Sequence, residues 1–416
     1  MSSTQRVLRP RKQQPNAPAK SGERTQRKRL RRHATQLPDT PQPLKLPVEL
    51  LLLILKEVDS LATLARASRV CRMFQNEAEH LLYREVTVRR VPDVRSLHRA
   101  LTKVPRRASL VYIFHAIDNG RMSMVLDLLN AILLMLNNLK DLDLDLTTCF
   151  EKPELHHKVL QTLSNCAFRL ESYSGYVGSD GEFVRFLKRQ PGIESLGIKD
   201  AVLDFPDQSF PQDVLPRLKF LQTDYDFFLS IVRHPRMITH LDLSSWPMDD
   251  HEVDNILQVV GGQLVSFKYA KDSDPEFPVG QPSHVLRGGA LPRLKFLDVG
   301  DFMENGHKSC FDLQADLEYM TDPTVALERL VWSTVWETYP HRDGAFDELN
   351  GRLAFARIWA DRVLRARRSL REIYYIERDL IYNEAFETGV LFTLSADGTL
   401  LQQDRKEQEI PVWSDV

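Results

Sequence analysis

Cysteine is scarce in this chain. Cys71, Cys149, Cys166 and Cys310 are the four in 416 residues, far apart and without a CxxC pair. Zinc sites and disulfide frameworks need tighter spacing, so these read as reduced core cysteines of a nuclear or cytoplasmic protein. The first residues lack the apolar core of a signal peptide. Apolar runs are short: the longest, Val125 to Leu136, contains Asp127 and Asn130 and falls below the ~20 residues of a spanning helix. It reads as a buried helix, and no membrane partner is expected. The phosphate-cradling motifs G-x-G-x-x-G and the P-loop lysine are missing, as is the G-x-S-x-G elbow. His251-Glu252 is followed by Asn255 where a zinc protease needs its second histidine. His156-His157 has no partner ligand at useful spacing and reads as helix surface. With each constellation incomplete, the expectation is a non-catalytic protein with no cofactor and no metal. Acidic residues are also missing from the beginning, where residues 1–33 hold Glu23 alone against eleven Lys and Arg.

What is present divides along the chain. The net charge of −2 conceals a basic arm joined to a mildly acidic body. Residues 1–43 are rich in Arg, Lys, Gln, Pro, Ser and Thr and cannot bury enough apolar surface to offset ordering, so they read as a disordered arm. Its densest run includes Arg27, Lys28, Arg29, Arg31 and Arg32. That run reads as a nuclear-import signal, a nucleic-acid-binding arm or a solvated tail. The acidic body argues against nucleic acid beyond a tether.

Order is expected from Leu44. Leu46 to Val58 reads as a helix with Pro47 in its first turn, where no amide is missed. Ser60 can cap a second helix over 61–67. A third runs from about Arg69 to Tyr83, with Val70, Phe74, Ala78, Leu81 and Leu82 at helical spacing. Val86 to Val91 alternates like a strand. Leu50 through Leu55 are consecutive apolar residues, which at ~100° per residue circle the first helix completely. A helix apolar all round must be buried all round, and a module of ~40 residues has no second layer to do it. A helix-packing partner or a neighbouring domain is implied.

Leu46-Pro47-x-Glu49-Leu50, Ile54-Leu55, Leu61, Leu64, Val70-Cys71-Arg72, Phe74 and Leu82-Tyr83 together resemble an F-box over residues 44–84. The resemblance implies binding to the Skp-family adaptor of a cullin–RING ubiquitin ligase. The contacts it implies are Leu46, Pro47, Leu50, Ile54, Leu55, Val70 and Phe74.

Beyond residue 100 the phrase apolar-x-x-apolar-x-apolar recurs, beginning at Leu139, Leu170, Ile193, Leu218, Ile238, Leu264, Leu294, Leu327 and Leu370. The intervals run from 20 to 43 residues, against ~20–29 for leucine-rich repeats. Helical candidates lie between, at 122–137, 154–166, 180–190, 227–233, 250–261 and 345–369. The usual asparagine after the phrase is mostly absent, which resembles the degenerate arrays that follow F-boxes. A compact α/β domain with similar βα units is the other reading. Asp397-Gly398 within an alternating segment marks a hairpin that can cap the last repeat, and the tail from Arg405 reads as loose.

The expected fold is therefore α/β: a three-helix F-box at 44–84, then an irregular leucine-rich-repeat solenoid with terminal hairpin over 85–404, then a tail at 405–416. Asp141, Asp143 and Asp145 fail the calcium-loop test, with Leu146 and Lys152 where glycine and glutamate belong, and read as one outward strand face. Asp224, Asp242 and Asp298 project to the same face, making it acidic. Trp336 and Tyr374 join them as aromatic anchors for an unknown protein substrate, although aromatics of the late repeats can equally fill the core. Arg106-Arg107-Ala108-Ser109 and Arg367-Arg368-Ser369 match basophilic kinase sites, a short pattern that arises often by chance. The function expected is substrate recognition for a Skp–cullin–F-box ubiquitin ligase. The alternatives are a repeat scaffold unrelated to ubiquitin and a protein tethered to nucleic acid by its arm.

Overall fold

The computed structural model describes residues 47–150, 152–177, 181–201, 210–273, 285–286, 291–303, 325–336, 345–379, 388–405 and 411–415. Leu46, the basic run Arg27, Lys28, Arg29, Arg31 and Arg32, and Cys310 lie outside them. Two compact units are distinguished, Met1–Leu51 and Leu52–Val416. The described part of the first is Pro47 and the opening of helix α1 (Val48–Lys56), where the Pro47 carbonyl accepts from the Leu51 amide at 3.2 Å.

The second unit continues α1 and adds α2 (Leu61–Ala67) and α3 (Arg72–Arg84). Ser60 caps α2 as expected, its hydroxyl accepting from the Thr63 amide at 3.3 Å. Leu55, Leu64 and Ala78 form the core of this module, with Val58, Ala67, Phe74, Leu81 and Leu82 packed around them. Cys71, expected in a core, is exposed at the start of α3. Strand β1 (Glu85–Val88) is shorter than the alternation predicts, because helix α4 (Val91–Lys103) takes over at Val91. Asp93 accepts from the Arg90 amide at 3.1 Å, and Pro92 stands in the first turn, where its missing N–H costs nothing. Buried Val94, Leu97 and Leu101 carry the helical period that the preceding alternation masks.

Thirteen strands form one sheet in strict sequence order. After β1 come β2 (Ile113–Ile117), β3 (Asp141–Asp145), β4 (Ser172–Val177), β5 (Ser195–Ala201), β6 (Phe220–Gln222) and β7 (His240–Met248). Then follow β8 (Ser266–Ser273), β9 (Phe296–Met303), β10 (Arg329–Trp336), β11 (Glu372–Asp379), β12 (Thr388–Leu394) and β13 (Leu400–Arg405). Strands β1 to β11 are parallel, and β12 and β13 close the sheet antiparallel. The closing pair is the expected hairpin, with Gly398 at φ +81° in its turn, a conformation that favours glycine. Helices cross between parallel strands: α5 (Leu126–Met135), α6 (Thr147–Phe150), α7 (Pro153–Asn165), α8 (Gly181–Lys188), α9 (Tyr225–Val232), α10 (Asp250–Val260) and α11 (Ala345–Ala366).

Every one of the nine sequence phrases begins two residues ahead of a strand, from Leu139 before β3 to Leu370 before β11. Its first, fourth and sixth residues are buried, all but Gly175 and Thr223 of them in the main core, as Leu241 and Leu243 are in β7. The same phrase underlies β2, as Val111-Tyr-Ile-Phe114-His-Ala116, where the closing alanine hides it. The second residue of each phrase is a backbone clamp. The Tyr112 carbonyl accepts from Lys140 N (2.8 Å) and Asp141 N (3.0 Å), Lys140 O from Glu171 N and Ser172 N, and the series runs on to Lys295 O with Glu328 N and Arg329 N.

In place of an asparagine ladder, long polar side chains just ahead of the phrase reach back to the preceding repeat. Buried Gln190 bonds both Leu170 N (2.9 Å) and Phe168 O (3.3 Å), and Gln263 donates to Arg236 O (2.7 Å). Arg236 itself donates to the Leu215 and Val214 carbonyls, and Arg367 to Val325 O. Arg367 of the Arg367-Arg368-Ser369 stretch is thus buried and held as a structural element. His156, read as surface, is buried edge-on against Phe150, 4.4 Å between ring centroids, while His157 is exposed.

The tail is not loose where it is described: Trp413 packs against the cluster formed by the sheet residues Phe296, Val331, Tyr374, Ile376 and Leu391.

Gly175 permits one tight contact. A methyl there would meet the Tyr173 hydroxyl at 2.6 Å and ring carbon Cζ at 3.0 Å, and that hydroxyl is buried with no hydrogen-bond partner among the described residues. Gly175→Ala should cost about 1–3 kcal/mol by overpacking. Adding Tyr173→Phe should restore a large part of it, read by denaturant unfolding of the single and double variants.

Candidate binding surfaces

The helical module turns one stripe of α1 inward and leaves another bare. Leu55 is 6 % exposed and faces Leu64 and Ala78, whereas Leu53 and Ile54 are 54 % and 55 % exposed. Leu61 at the start of α2 and Val70 before α3 add 65 % and 68 %. In the first turns of α1, Pro47, Val48 and Leu50 are also exposed. Of the residues expected to meet an adaptor, Leu55 is taken by the module's own core, because its stripe of α1 faces α2 and α3, and Phe74 of α3 is half-buried against that core. Leu53 and Leu61 take their place on the outside. The signal for Leu53 was in the sequence: six apolar residues in succession leave some pointing away from any single packing direction.

Glu79 of α3 ties the module to the segment after α4. It is 3 % exposed, and its two oxygens meet Arg106 Nη2 and Arg107 Nη2, each at 2.7 Å. Gln75 donates to it at 3.3 Å, Arg106 also bonds Asn76 at 3.0 Å, and Arg107 lies 5.2 Å above the Tyr83 ring. Burial pushes the Glu79 carboxyl up, but hydrogen bonds from Arg107 and Gln75 and the charges of Arg107 and Arg106 outweigh it, so it sits below the usual carboxylate range. Both guanidiniums of the Arg106-Arg107-Ala108-Ser109 stretch are thus committed, and the Ser109 hydroxyl donates to Arg106 O at 2.7 Å. A kinase would have to undo this knot to use the site.

Residues 44–89, the three helices together with β1, match a family described as F-box-like. This is an F-box-like module. The match points in general terms to a ubiquitin-ligase adaptor role; F-box domains are typically non-catalytic and generally bind Skp-type adaptors. No curated protein matches the chain.

Behind the F-box-like module the sheet offers its second surface. The third, fifth and seventh residues of each phrase point away from the helices. The fifth residues form one registered row across the parallel strands: Thr87, His115, Asp143, Ser174, Gly197, Gln222, Asp242, Lys268, Asp298, Val331 and Tyr374. Asp141, Asp143 and Asp145 alternate outward along β3, as expected. Two lysines stand among these acids. Lys199 lies 2.8 Å from Asp143 and 3.5 Å from Asp145, with His115 at 3.6 Å from Asp143. Lys268 stands between Asp242 (3.7 Å) and Asp298 (4.0 Å). Lys199 and Lys268 occupy the same outward phrase positions as the aspartates, so projecting every outward residue, not acids alone, would have found them.

The projected substrate residues do not gather into one site. Asp224 caps α9, its carboxylate accepting from the Phe227 amide at 2.7 Å. Asp242 is buried and accepts from the Ser244 amide and hydroxyl at 2.9 and 2.6 Å. Tyr374 is buried in the small cluster that holds Trp413, and burial raises its phenol above the ordinary value. Trp336 ends β10, in register with Met303 of β9 and Asp379 of β11. Asp298 remains half-buried on the row. Trp332, which holds the sixth position of its phrase, fills the main core between Trp359 and Tyr375.

Removing the Glu79 carboxylate strands two cations, and charged hydrogen bonds contribute about 1.5–3 kcal/mol each. Glu79→Gln should lose about 1–3 kcal/mol at pH 7. The folded-state value lies below the free-carboxyl value of 4.5, so this stabilisation is complete above about pH 4.5 and vanishes as pH falls through the folded value. The gap between the two proteins should therefore narrow on acidification, measured by denaturant midpoints from pH 7 to pH 3.

Proposed function

We propose that this chain is the substrate-recognition subunit of a Skp–cullin–F-box ubiquitin ligase. The observation that carries it is the bare apolar group Leu53, Ile54, Leu61 and Val70 on a module that matches an F-box-like family. Four large apolar side chains left in water on so small a bundle make sense as a packing face for another helical protein. Covering each contributes roughly 1.5–3 kcal/mol, enough together for a firm complex. Pro47, Leu50, Ile54 and Val70 stay in the proposed adaptor contact, with Leu46 from the sequence resemblance, and Leu53 and Leu61 are added.

The sheet, in this reading, is an irregular leucine-rich-repeat array whose open face receives a protein substrate. Its support is the repeated phrase, carried once by each of the parallel strands β2 to β11, in a sheet that follows chain order. The Glu79 knot holds α3 against the segment that follows α4, so adaptor and substrate would keep a fixed separation. The gain in ubiquitin transfer is proximity, with the bond-making groups on other subunits. The basic run Arg27 to Arg32 supports action in the nucleus as well as the cytoplasm.

Leu53→Ala with Ile54→Ala removes two exposed side chains and should leave thermal unfolding unchanged. Binding to purified Skp-family adaptor should weaken by about 30-fold or more, from roughly 2 kcal/mol or more of lost burial. Calorimetric titration of adaptor into the two proteins decides it, and equal affinities would sink the assignment.

A further inference from the structure

The open face is bare over its first strands and covered over its later ones. Ile113, His115, Asp141 and Asp143 of β2 and β3 are half-buried, as expected of outward residues on a solvated face. The third phrase residues of β7, β8 and β9 point the same way, yet His240 is 6 % exposed and Ser266 and Phe296 are fully buried. The Ser266 hydroxyl has no hydrogen-bond partner among the described residues. Among the described residues, the segment lying on this part of the sheet is the chain's own tail, a short turn over Trp413–Asp415. The Trp413 ring is 6.4 Å from Phe220 of β6 and 6.3 Å from His240 of β7, which stack on each other at 4.2 Å. Trp413 also packs against the cluster of Phe296, Val331, Tyr374, Ile376 and Leu391, which begins at β9 and is separate from the main core, while the turn that carries it lies against β7, β8 and β9.

A sheet face meant only for solvent does not carry such a cluster. Edge and face residues of soluble sheets are polar, and an apolar patch rimmed by charge marks a binding surface. This cluster is flanked on the same rows by the Lys268, Asp242 and Asp298 group. Tryptophan is the side chain that gains most from such a cradle, since it buries a large area with little rotamer entropy lost.

We propose that the open face of β6 to β9 is a seat for an extended peptide anchored by an aromatic side chain, and that the turn Trp413–Asp415 occupies it in cis as a displaceable cover. This rests on the reading of the open face as the substrate side. The substrate segment it fits carries a tryptophan-like anchor within a short polar stretch, as the tail does in Pro411-Val-Trp413-Ser-Asp415. An incoming segment must then displace Trp413, so the tail sets a threshold of affinity that weak partners fail.

The probe is a synthetic peptide of residues 406–416, titrated by calorimetry into the full chain and into a chain ending at Arg405. The shortened chain should bind it about tenfold tighter than the full chain does, and the Trp413→Ala peptide should bind neither. If removing the tail unfolds the protein, full-length Trp413→Ala keeps the backbone and frees the cradle, and the same titration applies. A folded shortened chain that ignores the peptide overturns the proposal, as does equal binding to both chains. A concentration-dependent dimer of the full chain that Trp413→Ala dissolves would overturn occupancy in cis, placing the tail on a second copy. Adaptor binding through Leu53 and Ile54 is measured apart from this, so failure of either reading leaves the other standing.

Discussion

The array depends on one arrangement of backbone hydrogen bonds. A single carbonyl, at the second residue of each phrase, accepts two consecutive amides from the next phrase, and this repeats from Tyr112 to Lys295. It sets the stagger of neighbouring strands to zero in phrase units. Once that is so, every fourth and sixth residue falls into the core and every fifth residue joins a common row. A slip of one residue would turn Leu241 and Leu243 away from the main core and Asp242 into it.

Because of that constraint much of the fold was legible from the sequence. The phrase is a period-two pattern of large apolar residues, and burial enforces it at each strand. What stayed hidden had local causes. Alanine at 116 ends the β2 phrase weakly, and α4 begins where a strand-like alternation runs straight into Arg90 and Pro92. The brackets made by Gln190, Arg236, Gln263 and Arg367 were invisible because their function is to reach backwards over twenty or more residues, and no local pattern encodes a partner at that distance.

The binding surfaces were legible to different degrees. Apolar excess on α1 announced that something must cover it, but not which residues; Leu55 turns inward because α2 and α3 lie on that side, and Phe74 of α3 packs against the same core. The outward face is legible by alternation, and Lys199 and Lys268 stand among the aspartates projected to it. Tail packing by Trp413 had no signal at all in a short polar segment. Both surfaces belong to the same economy: the F-box-like module and the late strands each carry more apolar surface than the chain's ordinary core uses.

The clamp also makes the sheet a ruler. Neighbouring strands lie ~4.8 Å apart, whereas alternate side chains of an extended peptide come every ~6.8 Å. A segment laid across the strands therefore meets the sheet in a vernier, about three strands to every two inward side chains, so only some of its residues can drop between rows. Lengthening a crossing segment on the helical side, as the spread of 20 to 43 residues between phrases shows, leaves those marks where they are.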